Sequence, residues 1–148
     1  MKKFFYVITL CAISLLFTAC EEEKNIAQEM TGRYSYTEYG TISLAGETSE
    51  FEDEGTFTIS LSGESDLVFT GDFNGTGYVY TYGNKVYIHD QEYSYEANGI
   101  YYHFKDSFSD VEWFGNSISA KRTSAITAIY NNVTYTGLLT SQIYAYKQ

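Results

Sequence analysis

The sequence has no proline, one tryptophan, two cysteines and few basic residues. Without proline there are no proline-rich linkers or stalks. Nine Lys and Arg against 19 Asp and Glu leave a net charge of -10, which argues against a nucleic-acid partner. Both cysteines, Cys11 and Cys20, fall near the N-terminus, so the body of the chain has no disulfide and no cysteine-based zinc site. No Walker-type phosphate loop, His-Glu-x-x-His pair or Gly-x-Ser-x-Gly elbow occurs. Long helical periodicity is missing too. What remains is 148 residues with 16 Tyr, 10 Phe and 12 Gly, 44% hydrophobic. That is one domain's length and too apolar for a disordered chain.

The N-terminus reads as an address. Lys2 and Lys3 precede an apolar run, Phe4 to Phe17, broken only by Thr9 and Ser14. The run falls short of the ~20 apolar residues that span a bilayer. A basic start, a short apolar centre and small residues make residues 1–19 a secretory signal peptide. Phe17-Thr18-Ala19-Cys20 resembles the lipobox of bacterial lipoproteins, with Phe17 where Leu is usual. The resemblance implies cleavage before Cys20, diacylglyceryl and palmitate-type acylation there, and an outer-membrane location. Losing Lys2 and Lys3 from nine basic residues would leave seven against 19 acidic, a net -12. Two acyl chains anchor stably, at ~0.8 kcal/mol per buried CH₂. Glu21-Glu22-Glu23-Lys24 is similar to the acidic export signal of Bacteroidetes surface lipoproteins, which implies cell-surface display; a plain hydrophilic tether is the alternative. Residues 20–31 are thus an acidic tether and a short helix, roughly Asn25 to Met30 and ended by Gly32, before a single β domain over 32–148.

From Gly32 onward the chain alternates. Phe57, Ile59 and Leu61 interleave with Thr56, Thr58 and Ser60, a half-buried strand pattern. Gly83-Asn84 and Asn98-Gly99 read as two-residue hairpin loops. The first would pair Tyr80 with Tyr87 and Val79 with Ile88; the second would pair Ala97 with Ile100, Tyr95 with Tyr102 and Tyr93 with Phe104. A tight turn at Asp90-Gln91 would set Ile88 against Tyr93 and make the registers agree. One face then holds Val79, Val86, Ile88, Tyr93, Tyr95, Ala97, Ile100, Tyr102 and Phe104 as core. The other is a tyrosine wall of Tyr78, Tyr80, Tyr82, Tyr87 and Tyr101 with His89 and His103. Reading Asn74-Gly75 as another tight turn sets Leu67 and Phe69 on the tyrosine face. Either that face is the interior or a bulge near Gly71 or Gly77 shifts the register. Further strands near 117–130 and 133–146, linked by Asn131-Asn132, bring the count to eight to ten.

These strands predict an all-β antiparallel meander, closed as a barrel, with a β-sandwich as the alternative. Met30-Thr31-Gly32-Arg33-Tyr34 resembles the start of the first strand in lipocalin-like proteins, with Tyr34 where that family has Trp; this implies a closed lipocalin-like barrel. An outer-membrane barrel is disfavoured by the lipid-attachment Cys, the Lys147-Gln148 end and the polar interruptions.

Chemistry is sparse. The acidic stretch Glu50-Phe51-Glu52-Asp53-Glu54 reads as a solvated hairpin tip rather than a cation site. Asp72-Phe73-Asn74-Gly75 echoes a calcium loop but has Gly83 at the twelfth position. His89 and His103, with Glu92 and Lys105 nearby, lack convergence for a metal or general base. No catalytic residue, metal or cofactor is assigned. Tyrosine joins a broad apolar ring to a hydroxyl with little rotamer entropy to lose, so Tyr78, Tyr80, Tyr82, Tyr87 and Tyr101 are the candidate ligand-binding residues. The expectation is a non-enzymatic envelope lipoprotein binding a glycan, a small apolar ligand or another envelope protein. The alternatives are a structural or protein-interaction lipoprotein with a filled core, and a small hydrolase with a carboxylate pair.

Overall fold

The computed structural model describes residues 25–80 and 85–148. The expected signal peptide, the expected lipid-attachment residue Cys20 and the acidic run after it fall outside the described residues, as do Tyr82 and the residues of the expected Gly83-Asn84 turn. Helix α1, Ile26–Met30, opens the described chain, with the Asn25 side chain accepting from the Gln28 amide at 3.1 Å. Thr31, in extended conformation, ends it. Nine strands follow: β1 Gly32–Leu44, β2 Glu47–Leu61, β3 Asp66–Gly71, β4 Gly75–Val79, β5 Val86–Ile88, β6 Gln91–Ala97, β7 Ile100–Phe114, β8 Ser117–Tyr130 and β9 Val133–Lys147.

All nine belong to one antiparallel sheet in the order β5-β4-β3-β2-β1-β9-β8-β7-β6. The sheet curls into an open half-barrel whose edges stop 9 Å apart. That is about twice the ~4.8 Å spacing of bonded strands. The closed lipocalin-like barrel expected from the meander is therefore not formed, and a single sheet is not a sandwich. The reason lies at the Asp90-Gln91 connection, which does not fold β6 back onto β5. Lys85 bridges Glu112 and Gln91 pairs with Asp106, so β5 and β6 are successive stretches of one line running antiparallel to β7. The first stretch bonds to β4 and the second to β7. Ile88 consequently never meets Tyr93.

Neighbouring strands approach closely at glycines on the inward phase of β1, β4 and β9. A Cβ on Gly40 would fall onto the Thr140 carbonyl, and one on Gly77 onto the Tyr87 carbonyl. Tight two-residue connections keep neighbours in sequence adjacent in space. Asn131 and Asn132, both at positive φ, join β8 to β9, and Asn98-Gly99 joins β6 to β7.

Registers partly follow the sequence reading. Ala97 pairs with Ile100, Tyr95 with Tyr102 and Tyr93 with Phe104, as expected. The β4–β5 pairing is shifted by two residues, Val79 facing Val86 and Tyr78 facing Tyr87, which preserves the faces. Leu67 pairs with Gly77 and Phe69 with Gly75, so both apolar side chains are interior, and Gly71 at φ 137 marks the irregular turn. The acidic stretch is no hairpin tip. It lies within β2, and the tip is Ala45-Gly46.

The concave face holds two apolar clusters. Tyr34, Phe57, Ile59, Leu67, Phe69, Trp113 and Ile118 gather at one end, closed off by Ala27 and Met30 of α1. The Tyr34 hydroxyl donates to the Met30 carbonyl at 2.9 Å and so ties helix to strand. Phe104, Ile126 and Leu139 form the second cluster, with Ile42 and Phe51 against it. Tyr93 and Tyr95, expected in the core, are 40% and 49% exposed because edge strand β6 has no layer above it.

Candidate functional site

Between the two apolar clusters runs a polar belt. Alternation turns every second residue of each strand inward, and on three strands one of those residues is charged: Glu38 on β1, Asp106 on β7 and Arg122 on β8. Glu38 and Asp106 are only 4% and 3% exposed. Arg122 Nη1 donates to both Glu38 oxygens at 3.1 and 3.2 Å, and its Nε donates to Asp106 Oδ2 at 3.0 Å. Nη2 lies 2.8 Å from the same Asp106 oxygen and donates to the Tyr93 hydroxyl at 2.9 Å. Ser141 Oγ donates to Glu38 Oε1. A planar guanidinium suits this task because its fork meets two carboxylates at once.

Beside this centre the concave face leaves a cavity of about 700 Å³. Tyr36, Phe57, Phe69, Phe73 and Tyr93 supply aromatic walls, with Ile88, Ile118 and Ile143 between them. Asp53, Asp72 and Glu92 add carboxylates, all on exposed residues. Two buried polar atoms at the cavity lack partners: Gln91 Nε2 and Asp106 Oδ1. They belong to cross-strand neighbours, since Gln91 pairs with Asp106. Buried polar groups are satisfied as a rule, so an unpaired donor and an unpaired acceptor on two paired residues single out this end of the cavity.

The electrostatics follow from burial. Burial opposes the Arg122 charge, but Glu38 and then Asp106 outweigh it and hold its pKa above the ordinary value. Burial raises the Tyr93 phenol; Arg122 pulls the other way and Asp106 adds to the rise. Burial also raises Tyr36, reinforced by Asp53, Glu38 and Asp72. Both phenols titrate higher in the folded chain than the ordinary 10.0, so the folded state holds their protons longer. Their contribution is complete below pH 10 and is lost as pH climbs from there through the folded values. Thermal melts from about pH 9 to about pH 11 should therefore show a falling Tm, and Tyr93→Phe should flatten the slope.

Of the tyrosines picked from sequence, Tyr78, Tyr80, Tyr87 and Tyr101 lie on the opposite, convex face, while Tyr82 is outside the described residues. Tyr78, Tyr80 and Tyr87 do come together there, with ring centroids 5.2 Å apart for Tyr78–Tyr80 and 5.0 Å for Tyr78–Tyr87. His89 joins them, 5.2 Å from Tyr87. Tyr101 shares the face but sits on β7, paired with Glu96 and Ile129. The histidines stay apart, each bonded to a cross-strand hydroxyl: His89 to Thr76 at 3.0 Å and His103 to Ser94 at 2.9 Å. Glu92 pairs with Lys105 at 2.7 Å and lies 3.9 Å from His103. Among the described residues no three His, Cys, Asp or Glu are grouped so as to hold a metal ion, and no helix is long and apolar enough to cross a membrane.

The Glu38–Arg122–Asp106 centre escaped the sequence reading. Its signal was nonetheless present: Tyr34-x-Tyr36-x-Glu38, Phe104-x-Asp106-x-Phe108 and Ala120-x-Arg122-x-Ser124 each place a charge on a strand's inward phase. Compared with protein-family models, curated proteins and solved structures, the chain matches none.

Proposed function

We propose that this chain is a non-enzymatic binding module, anchored through acylated Cys20 at the outer membrane of a bacterial envelope, whose small ligand occupies the concave cavity. The observation that carries the reading is the cavity of about 700 Å³ with a fixed polar centre and two unpaired buried atoms. Sites for small molecules are typically ~300–1,000 Å³, largely apolar, with a few placed polar groups. A filled-core structural protein would have no need of such a space. For the hydrolase alternative, the two buried carboxylates of the cavity, Glu38 and Asp106, are both engaged by Arg122, which supports a binding role for that centre. The Phe17-Thr18-Ala19-Cys20 sequence supports the anchor.

Two experiments test the two halves. In a thermal-shift screen of small glycans and apolar molecules, hits should raise the Tm of the full-length chain and lose most of that effect in Ile143→Phe, which fills the cavity. Hits that survive the substitution, or a screen without hits, would contradict the cavity. Cys20→Ala should abolish labelling by a palmitate analogue and release the protein from membranes; retained label would contradict the anchor.

A second reading is favoured by the convex aromatic cluster. Tyr80 is 45% exposed beside the ring of Tyr78, which in turn meets Tyr87, an arrangement suited to stacking a sugar or anchoring a partner protein.

A further inference from the structure

We propose that the ligand of the cavity carries a protonated amine on a compact apolar body, with Asp106 receiving the ammonium group and Gln91 an oxygen of the same ligand. This rests on the reading of the cavity as a ligand site and assigns that site its chemistry.

Charge balance comes first. Two almost fully buried carboxylates, Glu38 and Asp106, share one guanidinium, so the interior cluster holds one negative charge more than it compensates. A buried charge without a partner is costly, and the missing partner is a cation. The geometry says where it would sit. Both contacts of Arg122 with Asp106 use Oδ2, which leaves Oδ1 buried and without a hydrogen bond. A carboxylate oxygen of this kind accepts, so the ligand must donate. Gln91 Nε2, on the neighbouring strand, is an unpaired donor and calls for an acceptor on the same ligand.

The surroundings agree. Asp53 and Asp72 keep the remainder of the cavity negative, Glu92 being paired with Lys105, while Arg122 is already saturated by its own carboxylates. Tyr36, Phe73 and Tyr93 offer ring faces and edges to an apolar body, and the faces attract an ammonium group. No cluster fit for a metal ion exists among the described residues, which leaves an organic cation as the species these groups fit.

Three probes of one shape isolate the charge: phenylethanolamine, neutral phenylethanediol and anionic mandelate. Calorimetric titration into the full-length chain should show the amine binding at least about tenfold tighter than the diol, with mandelate weakest. Asp106→Asn should erase the preference for the amine over the diol. Asp53→Asn, at an exposed position that poses no threat to folding, should narrow the preference about two- to threefold and weaken its salt dependence. Equal binding of amine and diol would overturn the inference and leave the cavity reading intact. Mandelate binding best would also overturn it, with Arg122 as the recognition group instead. No binding by any of the three would overturn it as well, the cavity itself then being judged by the Ile143→Phe comparison.

Discussion

Arg122→Met is expected to destabilise the chain by ~3–5 kcal/mol, because it leaves two carboxylates buried against each other with no countercharge. For a β body of this size that corresponds to a Tm lower by roughly 10–20 °C. The effect comes from the orphaned partners and not from any large net contribution of the ion triad. Desolvating three charges costs about as much as their attraction returns. The triple variant Arg122→Met, Glu38→Gln, Asp106→Asn should accordingly recover most of the loss. Circular-dichroism melts of the single and triple variants measure this directly. A single variant with an unchanged Tm would mean that the belt is solvated and not buried.

Phe57→Ala should cost a similar ~3–5 kcal/mol for a different reason. Phe57 is the hub of the aromatic cluster: it stacks on Tyr34 at 5.4 Å and meets Tyr36, Phe69 and Phe73 at 5.8–6.0 Å. Strand β2 joins β1 to β3 at this point, with Phe57 paired to Tyr34 and Gly71. Removing the ring joins a void to the cavity beside it, and little can collapse into that space because the sheet is held open by its curl. Phe57→Leu, which keeps most of the volume, should cost about 1–1.5 kcal/mol. Denaturant unfolding of the pair gives the comparison. Equal losses would show that the ring contacts, and not the volume, carry the effect.

Much of the strand content was legible because alternation is local. Phe57-Ile59-Leu61 declares its own face, and the Asn98-Gly99 turn fixed the β6–β7 register correctly. The Gly83-Asn84 reading missed the β4–β5 register by two residues, an even slip that leaves each side chain on its own face. Closure was illegible because it is decided far away in sequence. Whether β6 turns back on β5 or continues its line is decided by partners on β7, where Lys85 meets Glu112 and Gln91 meets Asp106. The site was illegible for the same reason. Glu38 and Arg122 are 84 residues apart, and nothing local says that they share a row. Tyrosine density, by contrast, drew attention to Tyr78, Tyr80 and Tyr87. These do cluster, but on the outside of the curl, while the interior phase of β4 carries Gly75, Gly77 and Val79.

The decisive measurement is an NMR titration of the full-length chain with the strongest ligand from the thermal-shift screen, followed at side-chain resonances. Binding inside the curl predicts shifts at Arg122 Nε, the Gln91 amide and the methyls of Ile88, Ile118 and Ile143, with the rings of Tyr78, Tyr80 and Tyr87 unmoved. Shifts confined to those three tyrosines, with the interior silent, would contradict the account.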